Sequence, residues 1–227
     1  KEENMYCLVR PGPYVMAEVV DHGVPTWFID NYPEAVAKTV EGENHPTRVV
    51  SYLHPTYLEK VNTWYEHVCR IIEAYQISQG GPVILFQLDN EVGMFHWVTN
   101  TGDYNSDTQH RFTEFLKERY DLKAFYEKFH VNVNSIDQFV AAKLTQPEEG
   151  YALAMKNEYS LFMREHYKNY ISYLKQLALG LGIHVPFVIN VHGFDTIESL
   201  KRGKKYPIGL SQLLEVAQID DVLTAGD

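Results

Sequence analysis

Apolar positions recur along this chain at two different periods, and each period predicts a different element. Tyr57, Leu58, Val61, Trp64, Tyr65, Val68, Ile71, Ile72 and Tyr75 return every three or four residues. That spacing places them on one stripe of a helix over 56–75, with Glu59, Lys60, Glu66 and Arg70 on the opposite face. The same spacing in Tyr159, Phe162, Met163, Tyr167, Tyr170, Ile171, Leu174, Leu177 and Ala178 predicts a second long helix over 151–179, ended by Gly180 and Gly182. Shorter helices are expected over 107–120 with Asp107 as the cap, over 122–129, and after Ser135, where Ser135 and Gln138 fit a capping box. A further short helix is expected over 212–217, and Thr145 to Gly150 reads as a turn. Four other apolar runs, 6–9, 83–86, 185–190 and 221–225, are too short for helices and are bounded by turn residues. They read as strands buried on both faces, as in a parallel sheet.

The order is strand, helix, strand, helices, strand, helix, strand. Such alternation implies right-handed crossovers and a parallel sheet flanked by helices. Four parallel strands do not close a barrel and leave two raw edges. The expectation is therefore one incomplete domain over residues 1–227, an α/β partial (β/α)8 barrel, with self-association through the open edges as a consequence. Residues 21–56 read as a long loop with a short helical piece near 33–40, punctuated by Gly23, Pro25, Gly42, Pro46 and Pro55. A loop that long is uncommon unless it serves a function. Within it, Trp27 and Phe28 are expected to pack beneath the loop, with lining a groove as the alternative.

The candidate chemistry lies where the apolar runs turn polar. The run from Val83 ends in Gln87, Asp89, Asn90 and Glu91, and the run to Asn190 is followed by His192 and Asp195. Parallel α/β folds assemble their sites at such C-terminal strand ends. After the first strand, Pro11 and Pro13 stiffen the loop by fixing φ and removing two donors. Composition narrows the classes. A net charge of -10 argues against a nucleic-acid binder, which needs a basic face. There is no run of 18 apolar residues, so no membrane partner is expected. The two cysteines, Cys7 and Cys69, form neither a disulfide framework nor a metal spacing, and both are expected as buried thiols. His192 and Asp195 lack a third ligand at useful spacing, and no phosphate loop or nucleophile elbow occurs, so neither metal nor cofactor is expected.

Three stretches together resemble the family 35 β-galactosidases. Arg10-Pro-Gly-Pro-Tyr14, then Ala17-Glu18, then Gly23-Val-Pro-Thr-Trp27 is similar to that family's Arg-Pro-Gly-Pro-Tyr, Ala-Glu-Trp and Gly-Leu-Pro-x-Trp. Gly80-Gly-Pro-Val-Ile84 and Gln87-Leu-Asp-Asn-Glu-Val-Gly93 resemble its Gly-Gly-Pro-Ile-Ile and Gln-x-Glu-Asn-Glu-Tyr-Gly. The helix opening Pro55-Thr-Tyr-Leu58 lies between them, as in the family. The likeness covers residues 6–97. The later part, with its long helix, the strand ending at Asn190 and the segment 222–227, resembles the related family 42. Val19, Asp89 and Val92 depart from the family 35 pattern, which bears on the sugar more than on the reaction.

The resemblance implies strands three to six of a (β/α)8 barrel and retaining hydrolysis of terminal β-D-galactosyl residues. Retention takes two carboxyl groups about 5–5.5 Å apart, one as acid/base and one as nucleophile. By the resemblance Glu91 is the catalytic acid/base, and Asn90 binds the sugar near its 2-hydroxyl. Tyr14, Ala17 and Glu18 match positions that contact galactose hydroxyls, and Asn190 is a further substrate contact. Arg10 is expected to brace the site by pairing with a carboxylate. The family's nucleophile ends strand seven and has no match here, so the 227-residue chain alone is expected to be inactive. Two alternatives stay open: a retaining β-glycosidase of the same barrel class acting on another sugar, and a non-catalytic carbohydrate-binding remnant.

Overall fold

The helix α2, Pro55–Glu73, shows how these residues build the scaffold. Pro55 sits in its first turn, where a missing N–H costs nothing, and the His54 side chain accepts from the Thr56 N–H as the cap. Its stripe buries Tyr57, Val61, Tyr65 and Cys69. In this computed structural model, residues 5–14, 20–93, 102–143, 149–191 and 218–226 are described. The expected helix over 212–217 lies outside them, as do Ala17, Glu18, Val19, Trp97, His192, Asp195 and Asp227.

The described strands are β1 (Cys7–Val9), β2 (Val83–Asn90), β3 (Phe187–Val191) and β4 (Val222–Gly226). They form one parallel sheet in the order β1-β2-β3-β4. Helices follow between them: α1 (Thr26–Asn31), α2, α3 (Ser106–Arg119), α4 (Leu122–Phe129), α5 (Ile136–Lys143) and α6 (Glu149–Gly180). The architecture is thus α/β with a parallel sheet. The long α6 runs beside both α2 and β2 and buries Tyr159, Phe162, Met163, Tyr167, Tyr170, Ile171, Leu174 and Ala178, the stripe expected from its spacing.

Several expectations need correction. The loop helix is α1 at Thr26–Asn31, whereas Pro33–Ala35 makes only a single tight turn. Trp27 is 52% exposed and lines a groove with Pro11, Pro13 and Trp64, while its neighbours Phe28 and Ile29 are buried, so the core-facing stripe of this short helix begins one residue after Trp27. Helix α3 is capped by Asn105, whose side chain accepts from the Asp107 N–H, so Asp107 lies inside the first turn. Glu149 and Gly150 belong to α6 rather than to a turn. Cys7 is exposed on β1, at one end of the described sheet, whereas Cys69 is buried as expected.

The register carries the feature that shapes the site. Phe86 pairs with Phe187 and Gln87 with Val188, but the next pair is Asn90 with Asn190. One residue is looped out of β2 between them, a bulge of the kind that re-aims side chains at strand ends. Gln87 and Asn90, three apart, therefore come to the same face and hydrogen-bond each other at 3.1 Å.

Candidate active site

Asp89 is the residue the bulge turns away. Its carboxyl group is 1% exposed. Oδ1 accepts from the backbone N–H of Asn90 at 2.8 Å and of Tyr14 at 3.2 Å, and Oδ2 accepts from the Tyr170 hydroxyl at 2.7 Å. One side chain thus ties the end of β2 to the loop after β1 and to α6. Burial pushes the Asp89 carboxyl up to about 8, against the opposing pull of those hydrogen bonds.

Around Asp89 lies a wall of phenols. Tyr14, Tyr52, Tyr57, Tyr65 and Tyr170 are all buried, with Tyr52 and Tyr170 rings 5.0 Å apart and Tyr57 and Tyr170 rings 6.3 Å apart. The Tyr57 and Tyr170 hydroxyls meet at 3.4 Å, and Tyr65 donates to the Leu88 carbonyl at 2.6 Å. Burial raises every one of these phenols above its ordinary value. Tyr14 is wholly buried against Tyr52, and its hydroxyl meets no hydrogen-bond partner among the described residues.

Past the bulge the backbone turns left-handed. Glu91 has φ 45° and Gly93 φ 82°. A non-glycine residue in that region carries strain, which concentrates at functional positions. The turn is held by the Tyr52 hydroxyl, which accepts from the Gly93 N–H at 3.2 Å. A Cβ on Gly93 would lie 2.7 Å from the Tyr167 ring, so only glycine fits there. The Glu91 side chain is partly exposed, and its Oε2 lies 3.5 Å from Asn90 Nδ2. Its own N–H points to Asn190 Oδ1 at 3.4 Å.

The structure thus gathers Glu91, Asn90 and Asn190 at the C-terminal ends of β2 and β3, as expected, and sets Tyr14 directly behind them. Arg10 does not pair with a carboxylate among the described contacts. Its Nη2 donates to Asn90 Oδ1 at 2.5 Å, because the bulge puts the amide, and not Asp89, on the face that Arg10 reaches. Sequence reasoning counted Gln87 in the polar cluster but gave it no role; its Nε2, with two hydrogens to share, faces three acceptors, Asn190 Oδ1 at 2.9 Å, the Asp89 carbonyl at 2.9 Å and Asn90 Oδ1. A signal was present: Gln87 is the first polar residue after an apolar run, on a strand otherwise buried. Among the described residues no cluster of three or more His, Cys, Asp or Glu could hold a metal ion.

Three comparisons bear on this geometry. The sequence model described as glycosyl hydrolases family 35 matches residues 1–135. A β-1,2-glucosyltransferase of Ignavibacterium album is 34% identical over 200 residues, which is 86% of this chain and 27% of that protein. An exo-β-D-glucosaminidase of Pyrococcus horikoshii is 31% identical over 184 residues, 74% of this chain and 24% of that protein. The chain therefore spans about a quarter of the length of these curated relatives. Among solved structures, the β-galactosidase of Halorubrum lacusprofundi superposes with a TM-score of 0.65 at 19% identity, covering 89% of this chain and 28% of that one; that likeness speaks to the fold.

Proposed function

This chain belongs to glycosyl hydrolases family 35, and from that premise we propose that it is part of the (β/α)8 catalytic barrel of a retaining β-glycosidase, β-galactosidase-like in its reaction. In this reading residues 1–227 supply strands three to six, and Glu91 is the acid/base that protonates the leaving oxygen. The observation that carries the reading is the strained turn itself. A carboxylate held at φ 45° beside an amide, at a strand end buttressed by buried tyrosines, is a costly arrangement of the kind that collects at functional sites.

The residues divide the work as follows. Glu91 gives its proton as the glycosidic bond breaks and later takes one from water. Asn90 donates to the sugar near its 2-hydroxyl, a contact that strengthens as positive charge grows on the ring. Asn190 contributes a second amide, and Tyr14, Ala17 and Glu18 contact other hydroxyls. Bond cleavage also needs a nucleophilic carboxylate, which this reading puts on a seventh strand. No cofactor enters. For the 227-residue chain alone, exposed Leu8 on β1 and Leu223 on β4 support self-association through the outer strands, which neighbouring strands would cover in a closed barrel; a monomer by sedimentation at high concentration would argue against it.

A second reading changes the sugar. The glucosyltransferase and glucosaminidase relatives, together with Val19, Asp89 and Val92 in place of the family's usual residues, favour a gluco-configured or 2-amino sugar. The test is the reading frame extended both ways from Lys1 and Asp227, assayed on a panel of aryl β-glycosides. Glu91→Gln is expected to lower turnover by roughly 1,000-fold or more on any substrate the wild type cleaves. Turnover that survives Glu91→Gln, or full turnover by the 227-residue chain alone, would sink the assignment.

A further inference from the structure

The turn that presents Glu91 is gripped from outside its own strand. Glu91 and Gly93 stand at φ 45° and 82°, and a backbone in that region keeps its shape only where its surroundings fix it. The Gly93 N–H donates to the Tyr52 hydroxyl at 3.2 Å, and that phenol belongs to the loop before α2, 41 residues upstream. The Tyr52 ring has little freedom. It is buried, edge-on to Tyr14 and Tyr167 with centroids 5.9 and 5.8 Å away, and against Tyr170 at 5.0 Å. Its backbone is pinned one residue earlier. The Ser51 hydroxyl donates to Asp103 Oδ2 at 2.6 Å, and the Ser51 N–H donates to the Ala35 carbonyl at 2.9 Å. A continuous path therefore runs from the Asp103 carboxyl group through Ser51 and Tyr52 to the backbone two residues after Glu91.

We propose that Tyr52 is a positioning residue for the acid/base: its hydroxyl, by holding the Gly93 N–H, keeps the Glu91 carboxyl group within reach of the leaving oxygen. The role rests on the glycosidase reading above and adds a residue to it. In the first step of that reaction the bond from the anomeric carbon to the leaving oxygen breaks as the nucleophile's bond to that carbon forms. The Glu91 proton passes to the leaving oxygen. A displaced Glu91 transfers that proton poorly, because reaction depends steeply on placement. The nucleophile and the sugar contacts are untouched. The loss therefore falls on protonation and grows with the basicity of the leaving group. A dinitrophenolate departs without a proton, whereas a phenolate needs one. The long loop over 21–56 thereby acquires a task, since its far end carries the brace of the acid/base.

The experiment uses the extended reading frame, as wild type, Tyr52→Phe, Ser51→Ala and Glu91→Gln. Substrates are aryl β-glycosides of one sugar that the wild type cleaves, with leaving groups from dinitrophenol to phenol. Tyr52→Phe keeps the ring and its packing and removes only the hydroxyl. Its kcat/KM is expected to fall roughly tenfold or more on the phenyl glycoside and less than about twofold on the dinitrophenyl one. Ser51→Ala loosens the same lever without touching the phenol. It is expected to show the same pattern at smaller amplitude, and it carries the test if Tyr52→Phe does not fold. Equal losses across the series would reduce Tyr52 to a structural role and overturn the proposal. Glu91→Gln separates the two ways to fail. Its loss should grow most steeply toward phenol, and a loss equal on every leaving group would sink the acid/base assignment itself. Where Glu91→Gln shows the dependence and Tyr52→Phe does not, only the positioning role falls. A wild type that cleaves no glycoside removes the reading and this role together.

Discussion

Two carboxyl groups in this protein are shut off from solvent to the same degree, 1% exposed each, and they are wired differently. Asp103, in the loop before α3, accepts from the Lys38 and Asn105 N–H groups and from the Ser51 and Thr108 hydroxyls. Two donors on each oxygen leave it saturated, and every donor belongs to a loop or helix start that needs fixing. Asp89 receives two N–H groups and one hydroxyl, and burial outweighs them, pushing its carboxyl up to about 8. The first is a knot in the scaffold. The second sits next to the turn that presents Glu91, where a carboxyl group that keeps its proton adds no second negative charge beside the proposed acid/base. Depth of burial alone does not separate structural from site carboxylates; the number and kind of donors does.

That contrast can be broken in order of effect. Asp103→Ala orphans four buried donors at roughly 1–3 kcal/mol each. The loss approaches the whole net stability of a domain, so the variant is expected unfolded by circular dichroism. Asp89→Asn should act through pH instead. The folded-state value near 8 lies above the unfolded carboxylate value, so the folded protein binds the extra proton between about pH 4 and 8 and loses stability as pH rises through that window, by up to about 5 kcal/mol. The asparagine variant keeps an acceptor for the two N–H groups and should flatten the thermal-melting curve against pH; an unchanged slope would show that Asp89 does not carry it. The smallest effect is Gly93→Ala. The left-handed backbone costs about 1–2 kcal/mol, and the added methyl presses on Tyr167. Stability in thermal melting should fall by at least that amount, and kcat of the extended reading frame should drop as Glu91 moves.

Much of this is legible in the chain. The stripes on α2 and α6 follow from period, since a residue's face is fixed by its spacing wherever the element is regular, and the four strands follow from short apolar runs between turn residues, although β1, expected buried on both faces, is mostly exposed. The strand-end cluster is legible because polar side chains directly after a buried strand fall at the mouth of a parallel sheet, where sites assemble. What the pattern does not carry is the bulge. Spacing by twos puts Gln87 and Asp89 on one face, whereas the looped-out residue pairs Gln87 with Asn90 and sends Asp89 to the tyrosines. For the same reason Arg10, expected beside a carboxylate, meets an amide. Asn105 rather than Asp107 as the α3 cap is a shift of two residues between side chains of similar capping strength. The exposure of Cys7 escapes the pattern because burial of an outer strand depends on what stands beside it, which period cannot say.

The wall of phenols has an optical consequence. Tyr52, Tyr57, Tyr65, Tyr167 and Tyr170 are all held above the ordinary phenol range by burial, so each binds its proton more tightly in the fold than in the open chain. Raising pH beyond about 10 therefore draws on stability from several sites at once. In an alkaline titration followed by tyrosinate absorbance, these rings should colour together, at the pH where the fold gives way. That shared step would report the breakdown of this site without any added dye.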